Sequence, residues 1–83
     1  MILSIYCFRD TKIGEYCTPF YVQNDDVAKR VAKISLNDER SEFSKYPEDI
    51  ELYRLGKFET KSGAIVPDIQ FIANGIELKD GEI

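Results

Sequence analysis

A chain of 83 residues is one small domain, and a globule of that size buries only about 60 to 65% of the surface its unfolded chain exposes. A hydrophobic share of 43% with only three prolines excludes a disordered polymer, while a net charge of −4 counts against broad attraction to phosphate. Histidine is absent and the five glycines stand singly at turns, which excludes Ser/His/Asp and Cys/His nucleophiles and a glycine-rich phosphate loop.

Met1 to Phe8 is apolar but too short for a membrane span and lacks a basic leader and a small-residue cleavage site, so no membrane partner is expected. Ile2 to Arg9 predicts a strand that is apolar on both faces, one of them free for a contact. Asp10 to Gly14 carries turn residues, and Thr18 to Gln23 predicts a second strand in which Phe20 and Val22 share a face. Pro19 belongs at its start or on an edge, because it cannot donate to a ladder. A hairpin centred near Lys12 sets Cys7 opposite Cys17, two small core residues in a reducing cytosol, although that geometry would also admit a disulfide.

Asn24 is a good N-cap, and Asp25 and Asp26 suit the positive end of a helix predicted over residues 25–36. Val27, Val31 and Ile34, flanked by Ala28 and Ala32, form the stripe expected to face the sheet. Residues 39–49 read as a loop or short helical turn anchored by Phe43 and Tyr46 and interrupted at Pro47. A third strand over residues 50–59 violates strict alternation. A bulge at Gly56 resolves this by sending Tyr53, Leu55 and Phe58 inward and Leu52, Arg54 and Lys57 outward. A turn with positive φ at Gly63 leads to a fourth strand over residues 64–67, then to an apolar patch of Ile69, Phe71 and Ile72, a short helical turn or a strand, before the Asn74-Gly75 turn. The expected fold is therefore α+β: a single domain over 1–83 with a small antiparallel sheet, β-β-α-β-β along the chain, and one amphipathic helix packed on it. Residues 77–83 are expected to form a flexible acidic tail.

Up to Lys61 the chain holds ten basic and eleven acidic residues; beyond it, Lys79 stands against Asp68, Glu77, Asp80 and Glu82, so most of the acidic excess is C-terminal. The carboxylate pairs Asp25 with Asp26 and Glu48 with Asp49 fit a helix start and a turn, so no metal, no cofactor and no catalysis are expected. Ten aromatic residues remain, several beside bases: Tyr6 and Phe8 near Arg9, Tyr46 after Lys45, Tyr53 before Arg54, and Phe58 after Lys57. Rings that stack bases and cations that follow phosphates are the chemistry of single-strand binding. The same rings would equally make the core of a small sheet. Lys29, Arg30 and Lys33 form a second basic stripe, for which Asp25 and Asp26 offer local partners to the first two.

Three stretches together resemble the small nonstructural protein family of gokushoviruses, the tailless single-stranded DNA microviruses of bacteria. They are residues 19–25 (PFYVQND) with Ala28 and Arg30, residues 46–58 (YPEDIELYRLGKF), and residues 71–75 (FIANG). The resemblance implies DNA binding in support of single-stranded genome synthesis or packaging, in the host bacterial cytoplasm and outside the virion. Arg30, Tyr53, Arg54 and Lys57 are its matching positions best suited to DNA contact. On both grounds the expected site comprises Arg54, Lys57, Arg30, Lys33 and Arg9 on phosphates and Tyr6, Phe8 and Tyr53 on bases, in a homodimer. The alternative is a protein-interaction module, an assembly factor or an adaptor to a host or phage replication or packaging protein, acting through strand one and the acidic tail without touching DNA.

Overall fold

The computed structural model describes residues 1–81. Strands β1 (Ile2–Asp10), β2 (Glu15–Tyr16) and β3 (Phe20–Val22) precede helix α1 (Asp25–Asn37), and two 3-10 turns, Glu42–Lys45 and Pro47–Asp49, lead into β4 (Ile50–Glu59), β5 (Ile65–Asn74) and the short helix α2 (Gly75–Asp80). The α+β class stands. All strand pairs are antiparallel; β1 and β4 are central, β5 forms one edge, and β2 and β3 both pair with β1 on the other. The second strand expected over residues 18–23 shortens to β3, with Thr18 and Pro19 outside the ladder and the proline just before this edge strand, and the two-residue β2 precedes it. The hairpin register pairs Arg9 with Tyr16, and the Cys17 amide donates to the Phe8 carbonyl at 2.7 Å. Cys17 is therefore opposite Phe8 rather than Cys7, and both thiols are free.

α1 begins as its cap dictates, with the Asn24 side chain accepting from the Val27 amide at 3.0 Å. Its rotation about its own axis differs from the expected one. Ala28, Ala32 and Leu36 are fully buried, whereas Val31 and Ile34 are exposed, Ile34 at 71%. The sheet accounts for this. Tyr6 and Phe8 of β1 and Phe20 of β3 already fill the layer under the helix, and Phe43 adds a ring 4.6 Å from Phe8, so the helix packs there through small side chains. Leu52, Ala73, Ile50 and Leu78 complete this core.

The bulge lies where β4 passes from Arg54 to Gly56, with Leu55 unmatched against β1. It separates Tyr53 and Phe58 from Leu52, Arg54 and Lys57 as expected, but the sense is inverted. Leu52, opposite Phe8, lies under the helices, and Tyr53, opposite Cys7, points to the other face. Gly63 has the positive φ, 76°, that its turn demands. The apolar patch after Pro67 takes the strand alternative, and it continues the fourth expected strand without a break as β5.

The C-terminal segment expected to be flexible folds as far as it is described. Asn74 caps α2 by accepting from the Glu77 amide at 2.8 Å, Leu78 is buried, and Lys79 Nζ donates to the Ser44 carbonyl at 3.1 Å. Asn37 Nδ2 donates to the Lys79 carbonyl at 3.2 Å, and Lys33 Nζ donates to the Gly81 carbonyl. One buried leucine and a cap are enough to dock a helix too short to be stable alone. Residues 82 and 83 of the expected tail lie outside the described residues.

Candidate nucleic-acid interface

Both helices lie on one side of the sheet, and no element of the described chain covers the other. Antiparallel pairing sets residues that share a face opposite one another, so the register assigns that open face. β1 contributes Leu3, Ile5, Cys7 and Arg9, and β4 contributes Glu51, Tyr53, Gly56 and Phe58 opposite them. Tyr16 faces Arg9 from β2, Tyr21 faces Ile5 from β3, and Phe71 and Ile65 face Tyr53 and Phe58 from β5.

The rings form two rows across the strands. In the first, Tyr16, Tyr53 and Phe71 meet edge to face, with centroids 5.4 and 5.8 Å apart and interplanar angles of 83° and 79°. In the second, Tyr21 and Phe58 meet at 5.9 Å and 68°. Tyr16, Tyr21 and Phe71 are about half exposed, at 48%, 48% and 51%, while Ile5 and Cys7 are buried beneath this layer. Burial pushes the Cys7 thiol up to about 11, so it is protonated at neutral pH and behaves as a small apolar side chain. Edge-to-face contacts hold the rings in place, and their free faces can take a planar ligand.

Of the strand cations among the described residues, Arg9 is the one that alternation places on this face. Its guanidinium lies 5.5 Å from the Tyr16 ring centroid, and Nη1 is 4.0 Å from Glu51 Oε1. The surface is thus aromatic and apolar, with one positive group at its end.

The sequence-expected site does not assemble as one surface. Tyr6 and Phe8 are in the helix-side core, where neither can stack a base. Tyr6 instead donates its hydroxyl to Asp25 Oδ1 at 2.5 Å; burial first and that carboxylate second push the phenol up to about 12. Arg54 lies on the helix side. Its Nη1 donates to both Asp25 oxygens at 3.1 Å, and its Nη2 reaches Asp68 Oδ2 at 3.4 Å. Burial opposes the charge on Asp25, but the bonds from Tyr6 and Arg54 outweigh it and hold this carboxyl below its usual range. A groove of about 430 Å³ runs past Arg54 and Lys57, but Asp25, Asp26 and Asp68 also line it, so its acids outnumber its bases and phosphate is disfavoured. Arg54 is therefore a tie between α1, β4 and β5. Arg30 is exposed on α1 and Lys33 is bound to the Gly81 carbonyl, both on the helix that covers the opposite side of the sheet. Tyr53 and Arg9 are the two expected residues that share the open face.

Tyr16, Tyr21, Phe58 and Phe71 were not among the expected contacts. The signal that could have found them is the spacing of Ala28, Ala32 and Leu36, a buried stripe of small residues that demands large rings from the sheet beneath it and so leaves the other face unpartnered.

Among the described residues there is no group of three or more Cys, Asp or Glu side chains placed to hold a metal, and no helix is long and apolar enough to cross a membrane. No curated protein and no solved structure matches the chain. Residues 3–78, nearly all of it, match the model of the Phage ORF5 protein family, and the chain belongs to that bacteriophage family.

Proposed function

We propose that this phage protein is a noncatalytic single-stranded-DNA-binding protein that lays unpaired bases on the open face of its sheet and so assists genome synthesis or packaging in the host cytoplasm. The observation that carries the reading is the pair of aromatic rows on a face without a covering element. An antiparallel sheet whose exposed rings stack successive bases is a recurrent solution for unpaired nucleic acid, and each stacked base contributes about 1 to 3 kcal/mol with little sequence preference. The gokushovirus-like stretches support the same reading, since residues 46–58 contain Tyr53 and Phe58 and residues 71–75 begin with Phe71.

Charge plays a smaller part in this mode than the expected Arg54 and Lys57 contacts would have given it. With Arg9 as the strand cation on the face, one or two phosphate contacts give a salt slope, d log K/d log[salt], of about −0.7 to −1.4. The chain contains no tryptophan and three of its five tyrosines lie on the open face, so quenching of tyrosine fluorescence by an unlabelled oligodeoxynucleotide reports binding directly. Saturable quenching by single but not double strands, with that shallow salt slope, is the expected result. Absence of quenching at low salt overturns the reading.

A second reading has its own support. Ile65, Ile69 and Val66 are exposed beside or behind the rings and the net charge is −4, both of which suit a protein partner better than a polyanion. An adaptor of this kind would bind a phage or host replication protein through the same face, with no change in tyrosine emission on adding DNA.

A further inference from the structure

The two edges of the sheet are unlike. One is broken into β2 and β3, of two and three residues, on either side of Pro19. The other is β5, ten residues long, and α1 does not extend over its first part: Ile65, Val66, Ile69 and Phe71 are 59, 61, 60 and 51% exposed. Val66 shares the helix-side face with Lys57, and Ile65 the open face with Phe58, so this strand is bare on both faces as well as along its edge. A long apolar edge is a template for another strand.

We infer that β5 is the interface for a second copy of this chain, paired antiparallel to itself about a two-fold axis at Ile69. A two-fold axis that reverses strand direction stands perpendicular to the sheet, so both copies keep their helices on one side and their aromatic rows on the other. Residues directly opposite must share a face, which requires the axis to pass through a residue. Centring on Asp68 would set two carboxylates against each other. Centring on Pro67 would set two residues without an amide hydrogen at the middle of the ladder, and centring on Gln70 would set the Asp68 carboxylate opposite the aliphatic Ile72. At Ile69 the charges are accommodated: Asp68 faces the partner's Gln70, and the amide of Gln70 already donates to Asp68 Oδ1 at 3.2 Å within one chain. Pro67 then packs on the partner's Phe71 on the open face. Of the centres from Pro67 to Gln70, Ile69 is the one that gives Asp68 a hydrogen-bonding partner. The first row of each copy, ending at Phe71, approaches that of its partner across the axis, and the platform becomes one surface twice as wide. The pairing stands on the edge alone; only the widened platform rests on the DNA-binding reading.

Sedimentation velocity of the full chain across micromolar to submillimolar concentrations is expected to give the dimer mass, and Ile69→Lys, an exposed position, to raise the dissociation constant about tenfold or more while the circular dichroism stays that of the parent. In a chain carrying Cys7→Ala and Cys17→Ser, Ile69→Cys is expected to form an intermolecular disulfide under mild oxidation, because a residue beside the axis faces its own copy at a distance a disulfide spans, whereas Lys61→Cys is not. A monomer at every concentration, or a dimer that survives Ile69→Lys and does not cross-link through Ile69→Cys, overturns the inference. A dimer that cross-links but leaves tyrosine emission unchanged with DNA overturns the DNA-binding reading alone.

Discussion

Tyr53 and Arg54 are neighbours in sequence on opposite faces of β4, and exchanging each separately should divide binding from stability. Arg54→Met keeps the aliphatic stem and removes a guanidinium held 3.1 Å from Asp25 and 3.4 Å from Asp68. The arginine side chain is only 22% exposed, but its partners are 41 and 46% exposed, so water screens both pairs. The loss lies between the value of a surface ion pair and that of a shielded charged hydrogen bond, about 1 to 2 kcal/mol, or about 5 to 15 °C in the melting temperature of a domain this size. Its affinity for an oligodeoxynucleotide should stay within about twofold of the parent, because no part of Arg54 reaches the open face. Tyr53→Leu keeps apolar bulk beneath Tyr16 and Phe71 but removes the central ring of the first row. With about 1 to 3 kcal/mol per stacked base, affinity should fall by about five- to hundredfold. Thermal melts followed by circular dichroism and titrations at a temperature where both variants are fully folded give the two axes. A folded Arg54→Met that has lost binding, with Tyr53→Leu unaffected, would refute the assignment of the interface to the open face and return it to the acidic groove.

Gly56→Ala should lower the unfolding free energy by about 1 to 3 kcal/mol, read as a lower urea midpoint at unchanged slope, because a Cβ there would run into the Val66 carbonyl and push β5 away from β4. At acid pH the Asp25 carboxyl, whose folded value is depressed, contributes stability above the ordinary carboxylate range and loses it as pH falls through that depressed value. Asp25→Asn should therefore flatten the acid side of a plot of melting temperature against pH. At alkaline pH the sign reverses: Tyr6 and Cys7 are raised to about 12 and about 11, so the stability they contribute is whole below the ordinary tyrosine and cysteine ranges and is lost as pH rises through 11 to 12. Tyr6→Phe should cost about 1 kcal/mol at neutral pH for the hydrogen bond to Asp25 and make the alkaline side less steep, as followed by circular dichroism.

Local signals placed the first strand, the capped helix, the positive-φ turn at Gly63 and the irregularity of β4 where the fold has them, since caps, turns and bulges are decided within a few residues. What lay beyond local reading was the side of the sheet that each face meets. The helix carries two plausible stripes, Val27, Val31 and Ile34 or Ala28, Ala32 and Leu36, and hydrophobicity favours the first. Volume decides for the second, because four rings from β1, β3 and the first 3-10 turn occupy the layer the helix must enter. That one rotation also reverses the sense of β4, sends Leu52 inside and leaves Tyr53 and Phe58 outside. The C-terminal helix was concealed for a different reason, since six residues with two acids carry little helical signal and dock through one buried large side chain, Leu78.

The scatter of the expected contact residues over two faces has a single geometric origin. Aromatics beside bases mark a single-strand site in a loop, where neighbouring side chains can converge, but in a strand adjacent residues point to opposite faces. Tyr53 and Arg54, Lys57 and Phe58, and Phe8 and Arg9 are all such neighbours, and each pair is divided by the sheet. A ring and a cation that act together must come from different strands, as Tyr16 of β2 and Arg9 of β1 do across one ladder rung. Interleaving within a strand therefore predicts a bifacial element. For this protein it assigns Arg54 to holding the helix layer and the rings of β4 to whatever meets the open face, which is why Arg54 and Tyr53 should answer differently to stability and to binding assays.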